Sequence, residues 1–317
     1  MVTYGPGDIG GKVTAIANVG CGNDDLVPPD ESAPASVLAC ARTIDVAAEP
    51  FHHLIASKAL SAERYRDLAA TFPSSDAILN GRAPAKGNAA ARLPAFKVMD
   101  NPAITPAWRE FFAFHTSHQF WVDILRVFGP ALRKTHPDLE RLTGKKLEQW
   151  RAGPRGIPGD FDVRLECQFV IGTPWTESNS EPLSVKTPHV DKCDTIFAAL
   201  LYFRDPDDDT EGGDLELYSW TRSPRFLGRR MIMPRDLQRR KHVRYEANTF
   251  VAFVNSAQAA HGVTPRSASQ LPRRYINFIV ETPFAVFTAP KLGRIGRLIH
   301  RRARRGLGER VIGGDNY

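Results

Sequence analysis

The residues best placed to do chemistry are His189 and Asp191, separated by one valine, and His261 seventy-two residues on. Arg273 and Arg274 follow within a further thirteen residues. Two histidines and one carboxylate form the ligand set of a non-haem iron(II) centre, which holds one face of the metal and leaves the other open. A guanidinium downstream of the second histidine could anchor an anionic cosubstrate by a forked pair of hydrogen bonds. On a strand, residues i and i+2 share a face, so His189 and Asp191 are expected to reach one ion from a single element, with His261 arriving from another strand end.

The elements that must position these residues change character along the chain. Residues 1–35 read as an irregular lead-in, and Val37–Val46 as a short β-like run. Ser61 is a cap candidate for a helix over 61–70, and residues 74–104 read as a long loop. Between Pro106 and Lys134, Trp108, Phe111, Phe112, Phe120, Trp121, Ile124 and Val127 recur at helical spacing, and a further helix is expected over 138–150. After the Gly/Pro-rich stretch 153–160 the pattern becomes one of short strands at 162–171, 195–203, 214–220, 242–246, 249–254 and 274–281. Helices first and strands afterwards imply an α+β chain whose second half is a sandwich or barrel.

Composition sets bounds on the rest. Of 317 residues, 42 are Lys or Arg and 35 Asp or Glu, a net charge of +7. Residues 291–310 alone hold eight Lys/Arg and one acid, so the basicity belongs to a C-terminal stretch and leaves the rest neutral. There Leu292, Ile295, Ile299, Ala303 and Leu307 trace an apolar stripe, the pattern of a basic amphipathic helix able to make peripheral membrane contact. No run is long and apolar enough for a membrane span, and the first residues lack a secretory pattern. Cys21, Cys40, Cys167 and Cys193 form no CxxC pair, so reduced thiols and a cytoplasmic location are expected. The abundance of arginine and alanine suggests a high-GC bacterial genome.

Several motifs are set aside. Gly5-Pro-Gly7-Asp-Ile-Gly10 lacks the preceding strand of a dinucleotide site. Residues 205–216 superficially resemble a calcium loop, but Thr210 stands where glycine is required, so a solvated hairpin is expected. His115 and His118, three apart on a helix, read as packing or a pocket rim. The basic segment 222–241 reads as a solvated loop that could contact an anionic substrate.

Taken together, His189-Val-Asp191, Leu201-Tyr-Phe203, Gly212-Gly-Asp-Leu-Glu-Leu217, Phe253-Val-Asn-Ser256, His261-Gly-Val-Thr-Pro265 and Arg274-Tyr275 resemble the iron(II)- and 2-oxoglutarate-dependent dioxygenases, near the prolyl-4-hydroxylase-like branch. The resemblance covers residues 160–282 and implies a double-stranded β-helix (jelly roll) with a helical buttress. It implies one oxygenase domain over 36–290, with the buttress at 36–155 and the jelly roll at 156–290, followed by the 291–317 tail. It further implies that Fe(II) is held by His189, Asp191 and His261, and that Arg274 binds the distal carboxylate of 2-oxoglutarate. Arg274 is preferred over Arg273 because it shares a strand face with Ile276 and Phe278, taken as the interior. Tyr202 is a second candidate for that carboxylate, or else a core aromatic.

The reaction implied consumes O2 and 2-oxoglutarate, releases succinate and CO2, and oxidises a C–H bond. The carboxylate at Asp191 disfavours halogenation, and Val280, where DNA-repair relatives carry a second arginine, disfavours a nucleic-acid substrate. The expected substrate is a small molecule, amino-acid- or peptide-derived, in bacterial natural-product biosynthesis. A peptide prolyl hydroxylase, a non-catalytic jelly-roll binding protein and a zinc hydrolase are the competing readings.

Overall fold

The computed structural model describes residues 36–82, 89–174, 187–226 and 232–289. The lead-in 1–35, the tail 291–317 and the Gly5–Gly10 motif lie outside the described residues. In chain order the elements are β1 (His53–Ser57), α1 (Ala62–Ala70), α2 (Ser75–Leu79), β2 (Ala90–Pro94), α3 (Ala95–Val98), α4 (Pro106–His115), α5 (His118–Thr135), α6 (Leu139–Thr143), β3 (Ala152–Pro154), β4 (Val163–Gly172), β5 (Thr195–Tyr202), β6 (Leu215–Trp220), β7 (Leu237–Val243), β8 (Thr249–Val254), β9 (His261–Val263) and β10 (Arg273–Glu281).

The strands form two sheets. The larger runs β1-β8-β5-β10-β4-β2, with β3 pairing β4 in parallel, and the smaller runs β7-β6-β9. Ala198 of β5 and Val251 and Phe253 of β8 pack with Leu215 and Leu217 of β6 between the sheets, closing a jelly roll. Alternate residues of the large sheet face the other way. Phe169, Phe197, Leu201, Phe250, Ile276, Phe278 and Val280 pack with Trp108, Phe111, Phe112, Phe120 and Phe128 of α4 and α5 in the main core. The large sheet is therefore buried on both faces, by helices on the convex side and by the small sheet on the concave side.

Local chemistry explains the helical buttress. Ser61 accepts the Arg64 N–H at the start of α1, as expected of a cap. The apolar spacing from Pro106 to Lys134 produces two helices rather than one, because the chain breaks at Thr116, whose hydroxyl bonds back to Phe112 O. Several expectations change. Val37–Val46 contains a turn and a short 3-10 helix at Thr43–Asp45, not a strand. The stretch 74–104 contains α2, β2 and α3 among its described residues, not a continuous loop. Cys40 is disulfide-bonded, contrary to four reduced thiols, while Cys167 and Cys193 are free.

Candidate metal centre

His261 opens β9, and its register partner on β6 is Leu217. Directly opposed residues in an antiparallel pair project to one side. Since Leu217 points into the space between the sheets, so does His261. His189 lies opposite His261 in an isolated bridge closed by two N–H···O bonds of 2.9 Å each. This bridge, rather than the expected strand, is what fixes His189. One ligand atom from each of His189, Asp191 and His261 can be chosen so that all three lie within 4.8 Å of one another. Both histidine Nε2 atoms stand 3.7 Å from a carboxylate oxygen of Asp191.

The backbone sets the histidine tautomers. Nδ1 of His189 meets Thr187 O at 2.8 Å and Nδ1 of His261 meets Ala259 O at 2.9 Å. A carbonyl can only accept, so each Nδ1 carries the proton and each Nε2 keeps its lone pair aimed at the triad. The Phe253 ring packs 4.7 Å from that of His261 and limits its swing. The donor set of two imidazoles and one carboxylate suits iron(II).

On β10 the face assignment of the two arginines is the reverse of the expectation. Ile276 and Phe278 do share a face with Arg274, but that face packs on the helices. Arg274 accordingly leaves the concave side: Nη2 pairs with Asp205 at 2.9 Å, Nε donates to Phe203 O at 3.0 Å, and the guanidinium lies over Phe72. Arg273 occupies the concave side and is 3% exposed. Its guanidinium lies 4.7–5.1 Å from the ring centroids of Tyr202, Tyr245 and Tyr275, and Nε donates to Gly213 O at 2.8 Å. Among the described residues Nη2 of Arg273 and the hydroxyl of Tyr202 are buried without a hydrogen-bond partner. Burial pushes the Tyr202 hydroxyl up to about 12, against the attraction of Arg273, so it is a donor at neutral pH.

Comparison with known proteins falls on this part of the chain. Residues 184–281, which span the triad and both arginines, match the family model of the 2OG-Fe(II) oxygenase superfamily. The matched segment, under a third of the chain, is similar to the core of a 2OG-Fe(II) oxygenase. Members of this superfamily are 2-oxoglutarate-dependent dioxygenases that use Fe(II), 2-oxoglutarate and O2. No curated protein matches the chain. Similar solved structures include a prolyl-4-hydroxylase from Pseudomonas putida (14% identity, 73% of this chain, 93% of that chain, TM-score 0.40). A dioxygenase for auxin oxidation from Arabidopsis thaliana, solved with 2-oxoglutarate, is 11% identical over 78% of this chain and 86% of that one, with a TM-score of 0.39. A prolyl hydroxylase from Trichoplax adhaerens, solved with a peptide fragment, is 11% identical over 78% and 87%, with a TM-score of 0.37. Scores this low transfer no substrate.

Other residues of the chain fall into supporting places. His115 is buried, accepts the Val37 N–H at Nε2 and meets Phe111 O at Nδ1, and burial holds its pKa down at about 3. It is a neutral packing residue. The 205–216 hairpin is not solvated at its centre: Asp208 pairs with Arg266 at 2.9 Å, both essentially inaccessible, and Thr210 accepts from Arg266 Nε. In the described part of the basic segment, Arg222 pairs with Asp236 and Arg239 with Glu216. Arg229 and Arg230 lie outside the described residues. The sequence reading passed over Tyr245, whose hydroxyl accepts the Arg274 N–H at 2.7 Å while its ring walls Arg273. An aromatic after a basic loop carries no local signal of such a role. No helix among the described residues is long and apolar enough to cross a membrane.

Proposed function

We propose that this oxygenase holds Fe(II) through Nε2 of His189, a carboxylate oxygen of Asp191 and Nε2 of His261, and that Arg273 with Tyr202 receives the distal carboxylate of 2-oxoglutarate. The observation that carries the second part is a pair of buried donors on the concave face, Arg273 Nη2 and Tyr202 Oη, with no hydrogen-bond partner among the described residues. An unpaired buried donor costs about 1–3 kcal/mol, and more when charged, and a carboxylate between these two would satisfy both. Arg274 has no such vacancy, since Asp205 and Phe203 O already occupy it.

Iron and 2-oxoglutarate, when bound, supply the oxidising power through oxidative decarboxylation to succinate and CO2. The chain's own residues orient and insulate. Thr187 O and Ala259 O hold the imidazoles by their Nδ1 protons. Tyr202, Tyr245 and Tyr275 shield the Arg273 charge from water, which strengthens its grip on an anion. The carboxylate at Asp191 fills the third ligand position, which favours hydroxylation over halide transfer.

The substrate in this reading is a small molecule, amino-acid- or peptide-derived, hydroxylated at an unactivated C–H bond in a bacterial natural-product pathway. The neutrality of the chain outside 291–310 fits a substrate other than nucleic acid. Substrate-dependent succinate release, measured across amino-acid-derived metabolites and proline-containing peptides, tests it. Turnover confined to the peptides would replace the small-molecule reading with a peptide hydroxylase. Retained turnover in Asp191→Ala would overturn the ligand set.

A further inference from the structure

Asp191 is the ligand with the least secondary structure behind it. His189 is tied to His261 by their bridge, and His261 belongs to β9, but the chain from Val190 to Asp194 lies in no strand. Immediately after Asp191 comes a tight turn in which Thr195 N–H donates to Lys192 O, leading into β5. Every carbonyl of that turn accepts a bond from outside it. Cys193 O takes the Val286 N–H at 2.7 Å, and Asp194 O takes both the Thr282 N–H and its hydroxyl. Lys192 O and Thr195 O, the two ends of the turn, take the two protons of a single amide, Nδ2 of Asn255, at 2.9 and 2.8 Å.

Asn255 is fully buried just beyond β8. Its own N–H donates to Ile196 O, and its carbonyl accepts from Nε2 of His136 at the end of α5. Within six residues the same segment passes Ala259 and Ala260 and reaches His261. Asn255 thus joins the segment bearing Asp191 to the segment bearing His261, and anchors both to the helical layer. Two carbonyls facing one side chain require two donors on one atom. Aspartate would set oxygen against oxygen, alanine would offer nothing, and serine one donor at most. Among the described residues the Oδ1 atom is buried without a partner, an arrangement that costs stability and that a purely structural position would be expected to avoid.

We propose that Asn255 is a positioning residue for the metal: its amide holds the 192–195 turn, and through it Asp191, at the distance from His261 that one ion requires. The inference rests on the iron site proposed above. Outer contacts that orient metal ligands typically change affinity by about 10–100-fold when lost.

The test is anaerobic titration of the full chain with Fe(II), paired with the absorption spectrum of the Co(II) form and with melting of the metal-free protein. Asn255→Ala and Asn255→Asp are expected to lower Fe(II) affinity by about 10–100-fold and to shift the Co(II) bands. Asn255→Ser should fall between them and the wild type, and it decides the matter if the other two do not fold. A folded Asn255 variant with wild-type Fe(II) affinity and an unshifted Co(II) spectrum, whatever its melting temperature, overturns the inference and leaves the iron site standing. A wild-type chain that binds no Fe(II) overturns the iron site and this inference together.

Discussion

At the scale of single residues, the opposite orientations of Arg273 and Arg274 are the sharpest consequence of the structure. Removing a buried charge's partner typically costs 2–5 kcal/mol. Arg273→Leu should therefore weaken 2-oxoglutarate binding by about 30-fold or more, read from the absorption band of the anaerobic Fe(II) complex. Arg274→Leu should leave that affinity unchanged and cost about 1 kcal/mol of stability, through its ion pair with Asp205. Equal losses of affinity in the two variants would remove the distinction. A second residue-scale prediction concerns Glu166, which is 3% exposed and accepts the Ala95 N–H at 3.0 Å. Burial pushes its carboxyl up to about 7 from an ordinary 4.5. The folded state then binds this proton more tightly than the unfolded state, so stability falls as pH rises from about 4.5 to about 7 and the cost persists above that. The shift corresponds to a cost on the order of 3 kcal/mol. Glu166→Gln should flatten this part of the pH dependence in denaturant melts, and an unchanged slope would show that the group titrates normally.

At the scale of elements, the turn that feeds β6 sets the floor under Arg273. Gly212 and Gly213 both have positive φ, +76° and +75°. A Cβ on Gly212 would lie 1.8 Å from Pro265 O, a backbone atom that cannot swing away. Gly212→Ala should cost several kcal/mol or abolish folding, whereas Ser61→Ala at the head of α1 should cost only about 1 kcal/mol. Thermal melts of the two variants compare them directly, and similar small losses would mean the 212–213 turn can relax. The strands expected at 162–171, 195–203, 214–220 and 249–254 appear nearly as read, because each is a run of apolar or alternating residues bounded by turns. The partners of β1 and β2 were not legible in the same way. The two strands join the large sheet as edge strands, paired with β8 and β4 across long sequence separations, and nothing local announces those partners. β9, three residues long, exists only because β6 lies beside it.

At the scale of the molecule, the two sheets and the helical layer share one task, which is to bring segments more than seventy residues apart to a single point. On the proposed ligand set, His189 and Asp191 meet His261 only in the folded chain, so metal binding and folding would be linked. Fe(II) at 100 times its dissociation constant should stabilise the protein by about 2.7 kcal/mol. For a chain of this size that is a rise of several degrees in melting temperature. Asp191→Ala should abolish the rise without lowering the melting point of the metal-free protein by a comparable amount. A metal-induced rise that survives in Asp191→Ala would place the ion elsewhere. The buried Arg266–Asp208 pair locks the loop before β6 to the one before β10.

The sequence by itself determined which atoms are available for chemistry. Imidazole and carboxylate donors, their order along the chain and the family pattern around them are properties of residue identity, which folding does not alter. It also determined that short strands follow helices, because apolar periodicity is local. What only the tertiary structure decided is the side on which each residue faces. Arg273 and Arg274 are neighbours on a strand and must point opposite ways, yet β10 is covered on both faces, by aromatic helices on one side and the small sheet on the other. With Ile276, Phe278 and Val280 on one face and Tyr275 and Ile279 on the other, alternation alone cannot separate concave from convex. The packing of α4 and α5 against the first set makes that choice, and with it assigns to Arg273 the buried guanidinium whose Nη2 has no hydrogen-bond partner among the described residues.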